Sequence, residues 1–207
     1  MTITTRAGKG TELTFNEVDE NFNDLNTRTK SGWFDLVSPI TDAGVPGASA
    51  PIRTAFGPAH TPQHEQFAFD VNDYVFCEPF HINHNIKVGG KAYAHVHWST
   101  NGTNLAEVKW EMSIMRALGH NQANFGAPVV VSVSQAAQGS AWRHMITEVS
   151  LSDALTLTEP DELILVTLRR ITNGGTNNTD NVFGLTVDFH IEVDRQATLN
   201  KAPNFYA

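Results

Sequence analysis

The chain has 207 residues, of which 41% are hydrophobic and 17% charged, and its formal net charge is -8 at pH 7. This charge argues against non-specific nucleic-acid binding, because neutralising phosphates requires clustered Lys and Arg side chains. A single cysteine, Cys77, excludes an intrachain disulfide and a cysteine-based zinc site. No apolar run approaches a signal-peptide core or the roughly 20 residues of a membrane span. We therefore expect a protein made in the cytoplasm, with one moderate domain and a smaller appended segment.

The first predicted element is a short helix within residues 1–32, preceded by a polar, extended arm. Thr14 and Glu17 have the spacing of a capping box, in which each side chain binds the other residue's backbone amide. Four apolar residues then recur on one helix face: Phe15, Val18, Phe22 and Leu25. A helix of about three turns is marginal in water, so this stripe requires a partner. We predict that it binds sister chains as a three-helix bundle, or a groove on another protein.

Residues 33–64 are predicted to form an extended linker or arm. The stretch from 38 to 64 contains five prolines and three glycines, a composition that regular structure does not tolerate. Its apolar residues can anchor it to a surface: Ile40, Val45, Ile52 and Phe56. Just before it, Trp33–Val37 is a candidate short strand.

Residues 65–207 are predicted to form the main domain, because apolar and polar residues alternate there at the period of β-strands. The candidate strands are 66–71, 74–78, 91–100, 105–116, 129–134, 143–151, 162–170 and 183–195. Trp98 and Trp110 are expected to be core residues of two paired strands. Eight strands with uneven loops and no long helices between them predict an all-β, antiparallel, jelly-roll-like β-sandwich.

The strand at 91–100 places His95 and His97 on the same face. Two such residues lie roughly 7 Å apart, which is too far for one ion unless the side chains lean together. Three copies around a threefold axis would instead supply imidazoles to a single axial metal ion. His81 and His84 lie just upstream and are possible ligands from a neighbouring strand. The alternative is that this face is a semi-polar subunit contact or lies beside water.

The sequence gives no indication of catalysis. It lacks the Gly-x-Ser-x-Gly, Cys–His and His-Glu-x-x-His signatures. A cupin-like metalloenzyme is the competing hypothesis, because cupins carry a His-x-His pair on a jelly roll. Cupins also place a Glu a few residues after the pair, whereas the first acid after His97 is Glu107. We expect no enzymatic activity and, apart from the axial ion, no cofactor.

Two segments resemble bacteriophage virion proteins. Within residues 9–26, nine residues match the "KG…LT…E.D.NF..L" pattern that begins many tail-fibre and tail-appendage proteins: Lys9, Gly10, Leu13, Thr14, Glu17, Asp19, Asn21, Phe22 and Leu25. In that family the segment fastens the fibre to the tail, so the resemblance implies an N-terminal anchor. The sequence from Tyr93 to Trp98 resembles an "H.HW" signature of small phage virion proteins with trimeric jelly-roll modules.

The resemblance implies a homotrimeric tail-fibre, tail-appendage or adaptor component, fixed to the tail or neck of a virion. The chain lacks a long repetitive shaft and a receptor-binding tip, which favours an adaptor over direct host recognition. Two alternatives remain open. One is a capsid decoration protein (cement or head-fibre type), and the other is a glycan-binding β-sandwich module. The expected partners are copies of the chain and other virion proteins, with no nucleic acid and no membrane.

Overall fold

A computed structural model describes residues 4–30, 32–151, 155–194 and 197–205. Two helices come first, α1 (Arg6–Lys9) and α2 (Phe15–Lys30), and a short 3-10 turn follows at Ile40–Asp42. The strands are β1 (Gly32–Pro39), β2 (Ile52–Phe56), β3 (His64–Phe69), β4 (Tyr74–Phe76), β5 (Phe80–His81), β6 (Ala92–Thr100), β7 (Glu107–Ala117), β8 (Val129–Ala136), β9 (Met145–Ser150), β10 (Leu163–Ile171) and β11 (Val182–Val193). Each of the eight predicted strands corresponds to one of these.

The strands form two antiparallel sheets. Sheet A has the order β2-β3-β11-β6-β9, with β1 also beside β11, and sheet B has the order β4-β10-β7-β8, with β5 also beside β10. From β3 onward the chain crosses between the sheets at each connection, except within β4–β5 and at the β7–β8 hairpin. This strand order is that of a jelly roll, with β4 and β5 sharing one edge position. The predicted all-β, jelly-roll-like sandwich is confirmed.

The inward-facing side chains of both sheets form one hydrophobic core. Trp98 on β6 and Trp110 on β7 are fully buried in it, with ring centroids 6.4 Å apart. Their predicted core role is confirmed. The prediction that their strands pair is wrong, because β6 and β7 belong to opposite sheets and the two rings meet across the sandwich.

Residues 33–64 are more regular than the predicted linker or arm. β1 pairs with β11 along its whole length, so the candidate strand at Trp33–Val37 is confirmed. β2 pairs with β3, and Ile40 is fully buried in the core. The stretch therefore supplies two strands and a core side chain to the sandwich, and irregular backbone is confined to the segments around these strands.

The N-terminal segment folds locally before α2 begins. The predicted extended arm instead contains α1, which Thr5 caps at its start and Gly10, at φ 74°, closes in the left-handed region. The predicted capping box is confirmed. The Thr14 amide donates to the Glu17 carboxylate at 2.7 Å, and the Glu17 amide donates to the Thr14 hydroxyl at 3.3 Å. The helix then continues to Lys30, one turn beyond the predicted length.

Neither helix buries an apolar face in the sandwich. None of residues 4–26 is buried, although the apolar residues of α2 lie along one side of the helix. Within the described ranges, no helix combines the length and hydrophobicity that crossing a membrane would require.

Candidate functional site

The outer face of sheet A carries a cluster of histidine and aspartate side chains. We call it the Asp188 cluster, and its members are Asp35 on β1, His95 and His97 on β6, and Asp188 and His190 on β11. The strand register places Asp188 opposite His95, and His190 opposite Asp35. Because side chains alternate along a strand, all five project away from the core, on the same side of the sheet.

Two members of the cluster are buried even though they face outward. His95 is 6% exposed and Asp188 is 3% exposed. Flanking side chains on the same face shield them. Trp33 packs edge-on against Tyr93, with ring centroids 5.5 Å apart. These two rings line a shallow pocket with Glu148 and His190.

Asp188 lies at the centre of the cluster, with three imidazoles around its carboxylate. His97 Nε2 is 2.7 Å from Asp188 Oδ1, His190 Nε2 is 3.0 Å from Oδ2, and His95 Nδ1 is 3.4 Å from Oδ2. His190 Nε2 is also 3.0 Å from Asp35 Oδ1. The cluster thus contains two groups of three close residues that share Asp188: His95, His97 and Asp188, and Asp35, Asp188 and His190.

On each of the two β6 histidines, the ring nitrogen that points away from Asp188 has a hydrogen-bond partner. His95 Nε2 is hydrogen-bonded to Glu148 Oε2 at 2.9 Å, and His97 Nδ1 to His144 Nε2 at 2.8 Å. The His97 and His144 rings are also stacked, with centroids 4.9 Å apart. These bonds fix the orientation of both imidazoles and leave His95 Nδ1 and His97 Nε2 facing Asp188.

Hydrogen bonding inside the cluster is incomplete. Neither His95 Nδ1 nor Asp188 Oδ1 meets the criteria for a hydrogen bond with another described atom, although His97 Nε2 lies 2.7 Å from Asp188 Oδ1. Burial lowers the pKa of His97; the charge of Asp188 opposes this, and the nearby His144 and His95 add to the lowering. A neutral imidazole is the form that binds a metal ion.

His95 and His97 project from one face of the strand, as alternation predicts, with ring centroids 6.4 Å apart. Sequence reasoning missed the role of Asp188, which reaches both rings from the neighbouring strand. The alternation of β11 had placed Asp188 and His190 on a polar face, but nothing local showed that β11 pairs with β6. The suggestion that His81 and His84 join this site is wrong, because both lie in a different cluster.

That second group, the Asp161 cluster, comprises His81, His84, His120 and Asp161. His81 Nε2 and His84 Nε2 are 3.2 Å and 3.1 Å from Asp161 Oδ1, and His120 Nε2 is 2.7 Å from Oδ2. Burial raises the pKa of Asp161, but the hydrogen bond from His120 and the charge and hydrogen bond of His84 outweigh it, so the pKa lies below its ordinary 3.8. The His84 and His120 rings also cover Phe205 near the C-terminus.

The predicted anchor residues of α2 are exposed. Phe15 is 91% exposed, Phe22 is 67% exposed and Leu25 is 49% exposed. Val18, Phe22 and Leu25 line a shallow groove with Leu13 and Asn21, whereas Phe15 is not among its lining residues.

A cavity of about 300 Å³ lies beside β7 and is lined mainly by aliphatic side chains. Glu162 is fully buried at its wall, where Arg116 contacts one carboxylate oxygen at 3.0 Å. Burial raises the pKa of Glu162, and Arg116 opposes this. No aromatic side chain is among its described lining residues, so the cavity lacks the stacking platform on which sugar rings commonly pack.

Comparisons with known proteins give similarity of fold only. No family model matches the chain, and no curated protein does. Among solved structures, CBM35 from Cellvibrio japonicus Abf62 is 12% identical over 79% of this chain and 99% of its own, with a TM-score of 0.37. An exo-β-1,3-galactanase from Phanerochaete chrysosporium is 9% identical over 75% of this chain, with a TM-score of 0.38. A structure of infectious bursal disease virus, Gx strain, is 8% identical over 79% of this chain, with a TM-score of 0.37.

The chain spans 29% of the galactanase chain and 32% of the viral chain. These similarities carry no argument about what this chain binds or catalyses.

Proposed function

We propose that this chain is a structural protein of a bacteriophage virion, a tail-fibre, tail-appendage or adaptor component attached through its N-terminal segment. The observation that supports this is how the structure uses the residues that match the tail-protein pattern. The polar ones hold the segment together, and the apolar ones remain at the surface.

The polar pattern residues make contacts within the segment. Lys9 pairs with Glu17 at 2.5 Å, and Glu17 also forms the capping box with Thr14. Asn21 accepts a hydrogen bond from the Thr4 amide at 2.8 Å and donates one to the Thr4 carbonyl at 2.7 Å. These contacts fold the chain before α2 back onto the helix, so the segment is ordered before it meets a partner.

The apolar pattern residues have the opposite arrangement. Leu13, Phe22 and Leu25 line the exposed groove, and Phe15, a predicted anchor residue outside the pattern, is 91% exposed. Burying such side chains contributes about 1.5–3 kcal/mol each, enough for a preformed segment to bind a complementary surface. In a trimer, three segments would attach more firmly than one through their effective concentration. We propose that this surface belongs to another virion protein at the tail or neck.

We further propose that the chain has no enzymatic activity and that its partners are copies of itself and other virion proteins. The sandwich would then act as the projecting module of the particle. The capsid decoration and glycan-binding alternatives share this fold and differ in where the chain sits and what its outer surface meets.

The anchor can be tested by replacing Phe15 and Phe22 together with serine. Ile52→Ser is a matched control, because Ile52 is 68% exposed and lies on the sandwich, far along the chain from α2. Particles are purified from a phage that lacks the chain's gene, with each variant supplied in trans. We expect the double variant to be missing from the particles and the control to be present, with both keeping the wild-type melting temperature. Normal incorporation of the double variant would refute the anchor.

Two further measurements separate the alternatives. The solution mass tests the homotrimer, and a monomeric double variant would show that α2 joins sister chains and does not dock on another protein. Electron microscopy of particles carrying labelled chain distinguishes a tail or neck position from the capsid surface. Binding to a glycan array that is unaffected by the α2 substitutions would favour the glycan-binding alternative.

A further inference from the structure

We infer that His95, His97 and Asp188 of one chain form a binding site for a divalent transition-metal ion, with Zn²⁺ as the best fit. The sequence alone suggested an axial ion shared by three chains. The structure instead brings a carboxylate from β11 between the two histidines of β6, so that a single chain supplies three ligands.

The geometry is close to that of an occupied site. One donor atom from each of the three residues lies within 4.8 Å of the other two. The 3.4 Å between His95 Nδ1 and Asp188 Oδ2 matches the separation of about 3.3 Å expected for two ligands at 2.0–2.1 Å from a tetrahedral Zn²⁺. The donor of His97 lies at most 4.8 Å from the other two, so that separation must shorten to about 3.3 Å when an ion binds.

The hydrogen bonds around the cluster leave two hydrogen-bond acceptors, His95 Nδ1 and the Asp188 carboxylate, facing each other, and a cation between them would satisfy both. Glu148 has only acceptor oxygens when ionised, so the proton of a neutral His95 is on Nε2 and a lone pair is on Nδ1. That lone pair faces the Asp188 carboxylate, and both residues are more than nine-tenths buried. Two buried acceptors facing each other are unfavourable unless a positive charge lies between them. That charge is either a metal ion or a second proton on His95.

The surroundings favour the metal ion over the proton. In metal sites a ligating histidine holds its other ring nitrogen in a hydrogen bond, commonly to a carboxylate, and this fixes the tautomer. His95 has this arrangement with Glu148, and His97 has it with His144. Two imidazoles and one carboxylate are ligands typical of zinc and neighbouring transition metals, whereas Mg²⁺ and Ca²⁺ prefer oxygen alone. Three protein ligands leave a fourth position for water or for a group of another subunit.

The test uses the full-length protein without a histidine tag, dialysed against EDTA and then titrated with ZnCl₂. We expect one Zn²⁺ per chain by elemental analysis, and an absorption band of tetrahedral Co²⁺ when CoCl₂ replaces zinc. His97→Gln and Asp188→Asn are expected to weaken Zn²⁺ binding at least about 100-fold, and Glu148→Gln about 10-fold. The control His84→Ala removes a histidine of the Asp161 cluster and is expected to bind like the wild type.

The outcomes that overturn the inference are distinct. No stoichiometric zinc in the wild-type protein would mean that the cluster is not a metal site. One ion per three chains would restore the axial site. Loss of binding in Asp35→Asn, with binding retained in His97→Gln, would assign the ion to Asp35, Asp188 and His190, which also lie within reach of one another. The Co²⁺ band of the wild type shows whether a tetrahedral ion binds even if a substitution at the site prevents folding, and a band that is lost in His84→Ala would assign the ion to the Asp161 cluster.

Discussion

Asp188 and Asp161 are each surrounded by three imidazoles, yet the two clusters have different physical characters. The Asp188 side chain is 5% exposed and that of Asp161 is 19% exposed. The histidine side chains of the first cluster are 7–33% exposed, and those of the second are 31–56% exposed. The same set of groups is therefore desolvated in one place and partly hydrated in the other.

The difference arises from the elements that carry the two clusters. Strand pairing between β1, β11 and β6 fixes the Asp188 cluster, and the partners of its histidines are other side chains of the same face. The Asp161 cluster instead joins loops to the end of β5, where the Asp161 amide donates to the Ile82 carbonyl at 2.9 Å. There, His84 Nδ1 contacts Thr198 and its ring covers Phe205, so the cluster holds the C-terminal residues on the sandwich. The buried Asp188 cluster on the sheet therefore suits ion binding, whereas the more exposed Asp161 cluster suits holding residues 197–205 against the sandwich.

The largest expected difference between the clusters is in stability. Asp188→Asn removes the buried carboxylate that His95, His97 and His190 share, and breaking such a buried network costs about 3 kcal/mol. Asp161→Asn is expected to cost less than about 1 kcal/mol, because water screens the exposed pairs and Asn tolerates the left-handed backbone at φ 60°. Urea unfolding at pH 7 with EDTA measures both. Equal losses would show that burial does not distinguish the clusters.

The next effect is the response to zinc. At a free Zn²⁺ concentration of 100 times Kd, the wild type is expected to gain about 2.7 kcal/mol in free energy of unfolding. Asp161→Asn should show the same gain, and Asp188→Asn none. A gain that disappears in Asp161→Asn would move the metal site to the second cluster. Thermal unfolding with and without ZnCl₂ provides the measurement.

A smaller effect is the pH dependence of the Asp161 cluster. Because His120 and His84, with His81 beside them, hold the pKa of Asp161 below 3.8, the folded state binds a proton there less readily than the unfolded chain does. The resulting stabilisation is complete above pH 3.8 and is lost as the pH falls through the lowered pKa. The stability difference between the wild type and Asp161→Asn should therefore shrink as the pH falls below about 3.8. A difference that stays constant over this range would contradict it.

The smallest global effect is expected for His84→Ala. This change removes the contact with Thr198 and one of the rings over Phe205, while leaving the sheets unchanged. The free energy of unfolding should change by no more than about 0.5 kcal/mol. Hydrogen exchange of the amides in 197–205 should become faster, with the amides of β6 as the internal control. Faster exchange in β6 as well would mean that the tether is part of the core.

The N-terminal helix shows which structural features local sequence patterns can predict. Its capping box and apolar stripe depend on residues three or four positions apart, so both were readable without any knowledge of the fold. The preceding arm was misjudged: Thr5 and Gly10 close α1 locally, whereas the return of Thr4 to Asn21 depends on a contact between residues 17 positions apart. β2 shows the same limit: a Pro- and Gly-rich stretch indicates irregular backbone but cannot reveal a short strand that exists only because β3 is there to pair with it.

By itself the sequence determined most of the strands, the jelly-roll class of the sandwich and the shared face of His95 and His97, because alternation along a strand is a local property. Only the tertiary structure decided that β11 lies beside β6, and therefore that Asp188 stands between the two histidines. Strand order depends on contacts between residues far apart in the chain. The sequence pattern of a polar residue in an alternating strand is the same whether its side chain contacts water or an imidazole. The burial that distinguishes Asp188 from Asp161 exists only after the sheets have assembled.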